Sequence, residues 1–440
     1  MKKIFCALSA ILLLAGIVTA QEVVYPTPAF KGKLYITNAT VHIGNGQVLE
    51  GATVEINDSK IVQVSTTVTP ASGAKIVDGK GKHVYPGLIL SSTDLGLKEI
   101  ANGVRGSNDY AEIGDYNTSI RSITAYNTDS RVINVLKANG ILLASVTPEG
   151  GVISGSSTVV QLDAWNWEDA AYKIDGGIHV NMPSFIARTG RRGGGFRGFG
   201  AAAGEAVDPN KAALDKVDEI KAFFSEAKAY LAEPIHATTN LKLEAVRGLF
   251  DKKQKLFVHA DQVKQMLVAI DFAKEFGFSV VIIGGSESFL IADLLKANNM
   301  PVILNQSHAL PATEDDDVDQ PYKTPAALQK AGVLFAINDA FDEARYRNLS
   351  YNAGTAATYG LTKEEALSAI TLNAAKILGI DATTGSIEAG KDANIIVTDG
   401  DILDMKSSNV AYAFIQGRQV SLDNKQKQLY ERYKYKYGIK

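Results

Sequence analysis

The fold is decided by the stretch Val84-Tyr85-Pro86-Gly87-Leu88-Ile89-Leu90-Ser91-Ser92-Thr93-Asp94, where short alternating segments give way to longer apolar runs and helical patterns. Its apolar run follows a Pro-Gly pair and ends in small polar residues. Such a run is typical of a short strand that is buried on both faces. We therefore predict a first barrel strand, whose last side chains, including Ser92 and Asp94, face a pocket at its C-terminal end.

The first 20 residues have the three parts of a secretory signal peptide: a basic start, an apolar run from Ile4 to Val18 and the small pair Thr19-Ala20. A membrane-spanning helix is the weaker interpretation, because the apolar run is shorter than the roughly 20 residues that a bilayer core needs. Cleavage after Ala20 would also remove Cys6, the only cysteine. We predict an exported protein, periplasmic or secreted, without disulfides and without membrane insertion once the signal is removed.

Composition describes an ordinary soluble globular chain. The 440 residues are 46% hydrophobic and carry a formal net charge of -3. This length suits one barrel-sized domain and one smaller domain. The charge balance does not call for nucleic acid or a membrane surface as partner.

Periodicity divides the chain into two kinds of structure. Residues 33–84 form short alternating segments separated by turn residues, which indicates half of a small β-sandwich. Further along, strand and helix patterns alternate, which indicates a parallel barrel. Residues 152–162, rich in serine and glycine, are predicted to be a hairpin insertion. Residues 187–209 hold arginines among glycines, which favours a flexible insertion and leaves open a basic lid over an anionic substrate.

Three motifs carry a family resemblance. Residues 84–94 resemble the first barrel strand of the amidohydrolase superfamily, metal-dependent hydrolases in which Pro-Gly-Leu-Ile-Asp-x-His-x-His supplies two metal-binding imidazoles; Ser92 and Asp94 stand at those two positions. Residues 366–379 resemble the family's Ala-x-x-x-x-Thr-x-Asn-Ala-Ala-Lys-x-Leu-Gly helix, and residues 385–397 resemble its closing strands. The resemblance implies an α/β fold: a distorted TIM (β/α)8 barrel plus a small β-sandwich built from both ends of the chain.

The resulting domain prediction follows the chain in order. It comprises a signal peptide (1–20), a first sandwich half (21–85), a barrel (86–384) with the Arg/Gly-rich insertion (187–209), a second sandwich half (385–422) and a basic tail (423–440).

The resemblance also implies a site at the C-terminal ends of the barrel strands. His259 matches the family's histidine at the end of the fifth strand, and Asp339 matches its catalytic aspartate after the eighth. In the family this aspartate takes a proton from a metal-bound water and passes it to the leaving nitrogen. The alternatives are a structural histidine and an aspartate that caps the following helix.

Other family ligands are missing. Ile283 is followed by Gly284-Gly285 where the sixth-strand histidine belongs. His308, after the seventh strand, is a doubtful metal ligand or substrate contact, and Ser92 is a candidate substrate contact because a protonated hydroxyl is a poor ligand.

What remains of the ligand set is Asp94, His259 and Asp339. This set can hold one divalent ion weakly, zinc most readily, or none. Two functions stay open: hydrolysis of non-peptide carbon-nitrogen bonds in small or cyclic amides with reduced activity, or an inactive relative that binds a small ligand or a partner subunit. The expected partners are an amide-like small molecule and the other subunits of a homo- or hetero-oligomer.

Overall fold

The structure is a computed structural model, and it describes residues 25–99, 108–186, 208–233, 235–305, 308–309, 317–340 and 343–439. The predicted signal peptide (1–20) and most of the predicted insertion (187–209) lie outside these residues, so both stay predictions. Within the described ranges, no helix combines the length and the apolar character that crossing a membrane requires.

One sheet is built from both ends of the chain. Its strands are β1 (Lys33–His42), β2 (Val48–Asn57), β3 (Lys60–Ser65), β4 (Lys75–Asp78), β5 (His83–Pro86), β14 (Ile395–Thr398), β15 (Val410–Ile415) and β16 (Arg418–Gln419). They lie in the order β16-β15-β14-β5-β1-β2-β3, with β4 paired to β1. The two chain ends meet where β14 pairs antiparallel with β5, with Val397 opposite Val84. This confirms the prediction of a small sandwich domain assembled from both ends.

The second sheet forms the barrel. Its strands are β6 (Leu88–Thr93), β7 (Ile141–Val146), β8 (Ile153–Gln161), β9 (Ala171–Asn181), β10 (Lys255–Ala260), β11 (Val280–Gly284), β12 (Val302–Leu304) and β13 (Phe335–Ile337). Neighbours in the sheet are neighbours along the chain. All six residues of β6 are buried, as the apolar run predicts for a strand covered on both faces. The predicted distorted barrel is therefore confirmed.

Residues 152–162 were predicted to be a hairpin insertion, and this is wrong. They form β8, which pairs antiparallel with both β7 and β9 inside the barrel sheet. The small residues that resemble a turn instead allow another segment of backbone to pack closely against this strand. Gly155 has φ +126°, and a Cβ there would lie 2.5 Å from the backbone oxygen of Ile120. The segment before the first helix can therefore lie directly against the strand.

The barrel seam is closed partly by a side chain. Strands β13 and β6 are the two ends of the sheet order. The Asn338 side-chain oxygen accepts the Ser91 backbone N–H at 2.9 Å, and its amide donates to the Ser92 carbonyl at 2.8 Å. The Asn338 side chain thus makes the donor and acceptor contacts that a strand partner would make.

Helices cover the barrel and connect its strands. They are α1 (Ser122–Ala125), α2 (Arg131–Ala138), α3 (Trp167–Ala170), α4 (Pro209–Ala232), α5 (Leu241–Glu244), α6 (Arg247–Phe250), α7 (Val263–Phe276), α8 (Ala292–Ala297), α9 (Gln320–Ala331), α10 (Leu349–Thr358), α11 (Lys363–Ala369), α12 (Leu372–Leu378) and α13 (Lys425–Tyr437). Helix α11 begins with a capping box, in which Thr362 and Glu365 satisfy each other's backbone amides.

Candidate active site at the barrel mouth

The candidate residues come from strand ends, as the fold predicts. Asp94 directly follows β6, His259 is the penultimate residue of β10, and Asp339 lies two residues after β13. Because the carboxyl ends of parallel barrel strands share one rim, these side chains belong to the mouth of the barrel. The structure then shows what each of them contacts.

Asp94 is buried and engaged on both carboxylate oxygens. The Tyr346 hydroxyl donates to Oδ1, and the Lys98 ammonium lies 3.5 Å from Oδ2. A turn closed by the Leu97 N–H donating to the Asp94 carbonyl brings Lys98 back over the carboxylate. Burial lowers the pKa of Lys98, but the charges of Asp94 and Glu149 oppose this and the net direction is upward. Lys98 therefore stays a cation beside Asp94.

Glu149 joins this charged group from the loop after β7. Burial raises the pKa of the Glu149 carboxyl, the negative charge of Asp94 raises it further, and Lys98 opposes both. Burial, the charge of Asp94 and the hydrogen bond to it also raise the pKa of Tyr346, so that its hydroxyl remains a donor. The sequence had not indicated Lys98, Glu149 or Tyr346, because none of them belongs to a quoted motif.

Ser92 lies at the seam rather than in open space. Its backbone is held by Asn338, and its hydroxyl lies 3.4 Å from the Thr147 hydroxyl at the end of β7. The Ser92 side chain is buried. The predicted substrate contact through this hydroxyl stays a prediction.

His259 forms a pair with a second histidine. Its Nε2 lies 3.0 Å from Nδ1 of His179 on β9, the neighbouring strand. Burial lowers the pKa of His259 to about 4, so its imidazole is neutral at pH 7. Burial and the adjacent His259 lower the pKa of His179 well below its ordinary value. The β9–β10 register, which sets His179 opposite Phe257, is what brings the two rings together.

His179 lies deeper in the barrel than His259. Its ring stacks on Phe257 with centroids 4.8 Å apart. Its Nε2 is buried and has no hydrogen-bond partner among the described residues. Sequence reasoning missed His179 because it does not end its strand.

Asp339 is fully buried and held by two side chains. The Asn352 amide on α10 donates to Oδ2 at 3.0 Å, and Nε of Arg345 lies 3.6 Å from the same oxygen. Arg345 directly precedes Tyr346, which contacts Asp94. One short segment after β13 therefore holds both predicted carboxylates.

His308, the doubtful candidate for a metal ligand or substrate contact, lies at an exposed position. Its ring is exposed, its Nε2 lies 2.8 Å from the Thr355 hydroxyl, and it meets Tyr322 edge to face. It lines an open groove together with Lys363 and Asp401. The physical reason is that His308 lies against the outward-facing side of α10, whereas Asn352 on the same helix reaches the barrel mouth.

The donor set does not fit a metal ion as arranged. Across the described ranges, no group of three or more His, Cys, Asp and Glu side chains is placed to hold one. The predicted set of Asp94, His259 and Asp339 is thus not gathered around one point, although a zinc site needs three or four ligands. Each donor has a protein partner instead: Lys98 and Tyr346 for the first, a histidine for the second, and an arginine and an amide for the third.

Comparisons with known proteins agree with this architecture. The family model of the amidohydrolase family matches residues 203–420. Imidazolonepropionase of Thermoplasma volcanium is 24% identical over 374 residues, which are 80% of this chain and 85% of that protein. The 5'-deoxyadenosine deaminase of Methanobrevibacter smithii is 22% identical over 391 residues, covering 81% of this chain and 83% of the relative.

A solved structure extends the likeness to the whole fold. The amidohydrolase from Thermotoga maritima superposes with a TM-score of 0.75 at 25% identity, covering 88% of this chain and 99% of that one. The fold and the matching family model together define a barrel protein of the amidohydrolase type. The chain belongs to the amidohydrolase superfamily.

Proposed function

We propose that this protein hydrolyses carbon-nitrogen bonds other than peptide bonds in small or cyclic amides, at a rate reduced by its incomplete ligand set. Membership of a hydrolase family and the likeness to imidazolonepropionases and a deaminase support the class of reaction. The observation that carries the proposal is Asp339, a fully buried carboxylate placed directly beyond the eighth barrel strand and held by Asn352 and Arg345.

The chemistry assigned to the chain's own residues is proton transfer. The Asp339 carboxylate takes a proton from the attacking water and returns it to the leaving nitrogen. Asn352 and Arg345 fix the orientation of this carboxylate, which lowers the entropic cost of reaching a reactive geometry. Burial lowers the pKa of His259 to about 4, so its imidazole is neutral at pH 7. In this form it offers a hydrogen-bonding group without charge at the barrel mouth.

A reduced rate follows from the donors that are missing. Ser92 and Gly284 stand where the resemblance places histidines of the first and sixth strands. The donors that remain do not form a group able to hold a metal ion among the described residues. The proposed proton transfer accordingly uses only side chains of the chain itself.

One observation favours the second candidate, an inactive relative that binds a small ligand or a partner subunit. Asp94 already has an ammonium and a hydroxyl as partners, in a buried position. Opening such a pair to admit a substrate leaves a buried charge without compensation, which typically costs about 3–5 kcal/mol. An Asp94 that stays engaged by Lys98 and Tyr346 does not take part in turnover, which suits an inactive relative.

The decisive experiment combines metal content with hydrolysis of a panel of hydantoins, lactams and N-acyl amino acids. Hydrolysis that is lost in Asp339→Asn and kept in the exposed control Asp129→Asn supports the first proposal. Thermal unfolding of both variants shows whether Asp339→Asn still folds. If the wild-type protein hydrolyses no member of the panel but a member raises its thermal midpoint, the second candidate is supported and the first is wrong.

A further inference from the structure

The C-terminal helix α13 is fully formed, and none of the described residues covers its side chains. None of its residues is buried. Asn424 caps its first turn by accepting the Lys427 N–H at 3.0 Å, and Gly438 ends it with φ +63°. Helices in proteins gain most of their stability from packing an apolar face. A capped, unpacked helix at the end of a folded domain therefore offers a surface to something outside the described chain.

Its tyrosines form a stripe. Tyr430, Tyr433 and Tyr437 are spaced three and four residues apart, which places them on one face of the helix. Their exposed fractions are 63%, 51% and 65%. Leu429 widens the same face. Tyr435, 91% exposed, lies off this face because it is two residues from both Tyr433 and Tyr437. We call residues 430, 433 and 437 the tyrosine stripe.

Basic side chains border the stripe on both sides. Helix α13 has five basic residues and one acidic residue, Glu431, so it carries +4. The whole chain carries -3, and the rest of the chain is therefore at -7. The Lys434 ammonium lies 5.4 Å from the centre of the Tyr430 ring, and Lys436 lies 5.2 Å from that of Tyr437. The overall charge balance thus hides a segment of opposite sign.

We propose that α13 is a docking helix that lies flat on an anionic lipid surface. Tyrosine combines an apolar ring with a polar tip and suits the headgroup level of a bilayer. Flanking lysines keep their ammonium groups at the phosphates while their stems lie along the apolar layer. Basic residues near an anionic surface strengthen this attachment by attraction to the lipid phosphates. With 13 residues, the helix offers a contact about 20 Å long.

Two other arrangements of α13, pairing with a second copy and spanning the bilayer, fit its charge and its length less well. A second copy of α13 would bring +4 against +4, so pairing of two such helices is opposed. Spanning the bilayer is a different arrangement, since none of the helices described here has the length and apolarity for it. The proposal is adsorption to the surface.

The test uses the full-length chain and co-sedimentation with vesicles. One set contains phosphatidylglycerol and phosphatidylethanolamine, and the other contains phosphatidylcholine alone. We expect partitioning onto the anionic vesicles to be at least tenfold stronger at low salt and to fall in 0.5 M NaCl, since the Debye length is then only a few Å. The apolar segment 4–18 is common to every variant, and its binding would not weaken with salt.

Matched variants isolate the stripe. The triple variant Tyr430→Ser, Tyr433→Ser, Tyr437→Ser should lose at least tenfold in the salt-sensitive partitioning, whereas Tyr435→Ser should stay within twofold of the wild type. All four side chains are exposed, so the substitutions should leave the rest of the fold intact, and circular dichroism checks that the helix content is kept. The proposal would be overturned if the salt-sensitive binding were absent, equal on both vesicle sets, or equal in the triple variant and the control. Binding of poly-glutamate or duplex DNA without vesicle binding would overturn it as well.

Discussion

Two histidine pairs in this molecule have the same spacing and opposite surroundings. In the barrel, His179 and His259 have ring nitrogens 3.0 Å apart. Between the two-ended sheet and α11, His42 and His83 also have ring nitrogens 3.0 Å apart. The second pair has a carboxylate, because the His42 Nδ1 lies 2.6 Å from Glu364 Oε1. The barrel pair instead stacks on an apolar ring and leaves one nitrogen without a partner among the described residues.

The difference shows that the neighbouring groups decide the protonation state of an imidazole and which of its nitrogens is available. Burial lowers the pKa of His259 to about 4 and holds the barrel pair neutral. Burial and His42 also lower the pKa of His83, but the nearby Asp401 opposes them. A neutral imidazole is the form that ligates metals or accepts protons. In the barrel, however, one nitrogen of His259 is already committed to His179.

The largest expected effect is on acid stability and comes from the barrel pair. The folded-state pKa of His259, about 4, lies below its ordinary value of 6.5, so the unfolded chain takes up a proton first as the pH falls. Its effect on stability is therefore nil above pH 6.5, and stability is lost between pH 6.5 and 4. From pH 7 to pH 4, the wild type should lose ~3 kcal/mol more unfolding free energy than His259→Gln.

Urea unfolding at the two pH values measures this loss. His83→Gln is the comparison variant. The pKa of His83 is also lowered by burial, but Asp401 opposes the shift, so this variant should reduce the acid loss less than His259→Gln does. Equal acid losses in the wild type and His259→Gln would mean that the barrel pair is not held neutral by burial.

An intermediate effect is expected at the junction between sheet and barrel. Glu364→Ala should lower the unfolding free energy by about 2 kcal/mol, because it removes the acceptor for a mostly buried His42 nitrogen. Glu364→Gln keeps an oxygen at that place and should cost less than half as much. Urea unfolding at pH 7.5 compares the two. Identical losses would show that the contact to His42 is not what stabilises this junction.

The smallest effect is expected from His179→Phe. The substitution removes a buried Nε2 that has no partner among the described residues, which is favourable, and it removes the hydrogen bond to His259, which is unfavourable. The stack on Phe257 is kept. The unfolding free energy at pH 7 should change by about 1 kcal/mol or less. A loss well above this, measured by urea unfolding, would show that His179 contributes more than one neutral hydrogen bond.

Local sequence patterns predicted most of the fold. The apolar run ending in Asp94 predicted a buried strand, and all six residues of β6 are buried. The spacing of Thr362 and Glu365 is that of a capping box, which is typical of a helix start, and α11 begins there. For residues 152–162 the same reasoning gave a wrong prediction, because a serine- and glycine-rich segment resembles a turn unless its neighbours are known. Its burial comes from β7, β9 and the segment before α1.

The site shows the same division. By itself the sequence determined the superfamily and the strand-end positions of Asp94, His259 and Asp339, because each depends on residues close together in the chain. The two-ended sheet pairs distant residues such as Val84 and Val397, and the sequence indicated it only through the resemblance of residues 385–397 to the family's closing strands. Only the tertiary structure decided what these side chains contact. Tyr346 reaches Asp94 across 252 positions, and His179 reaches His259 across 80. Such contacts depend on strand register and on the path of loops after the strands, which no local periodicity encodes.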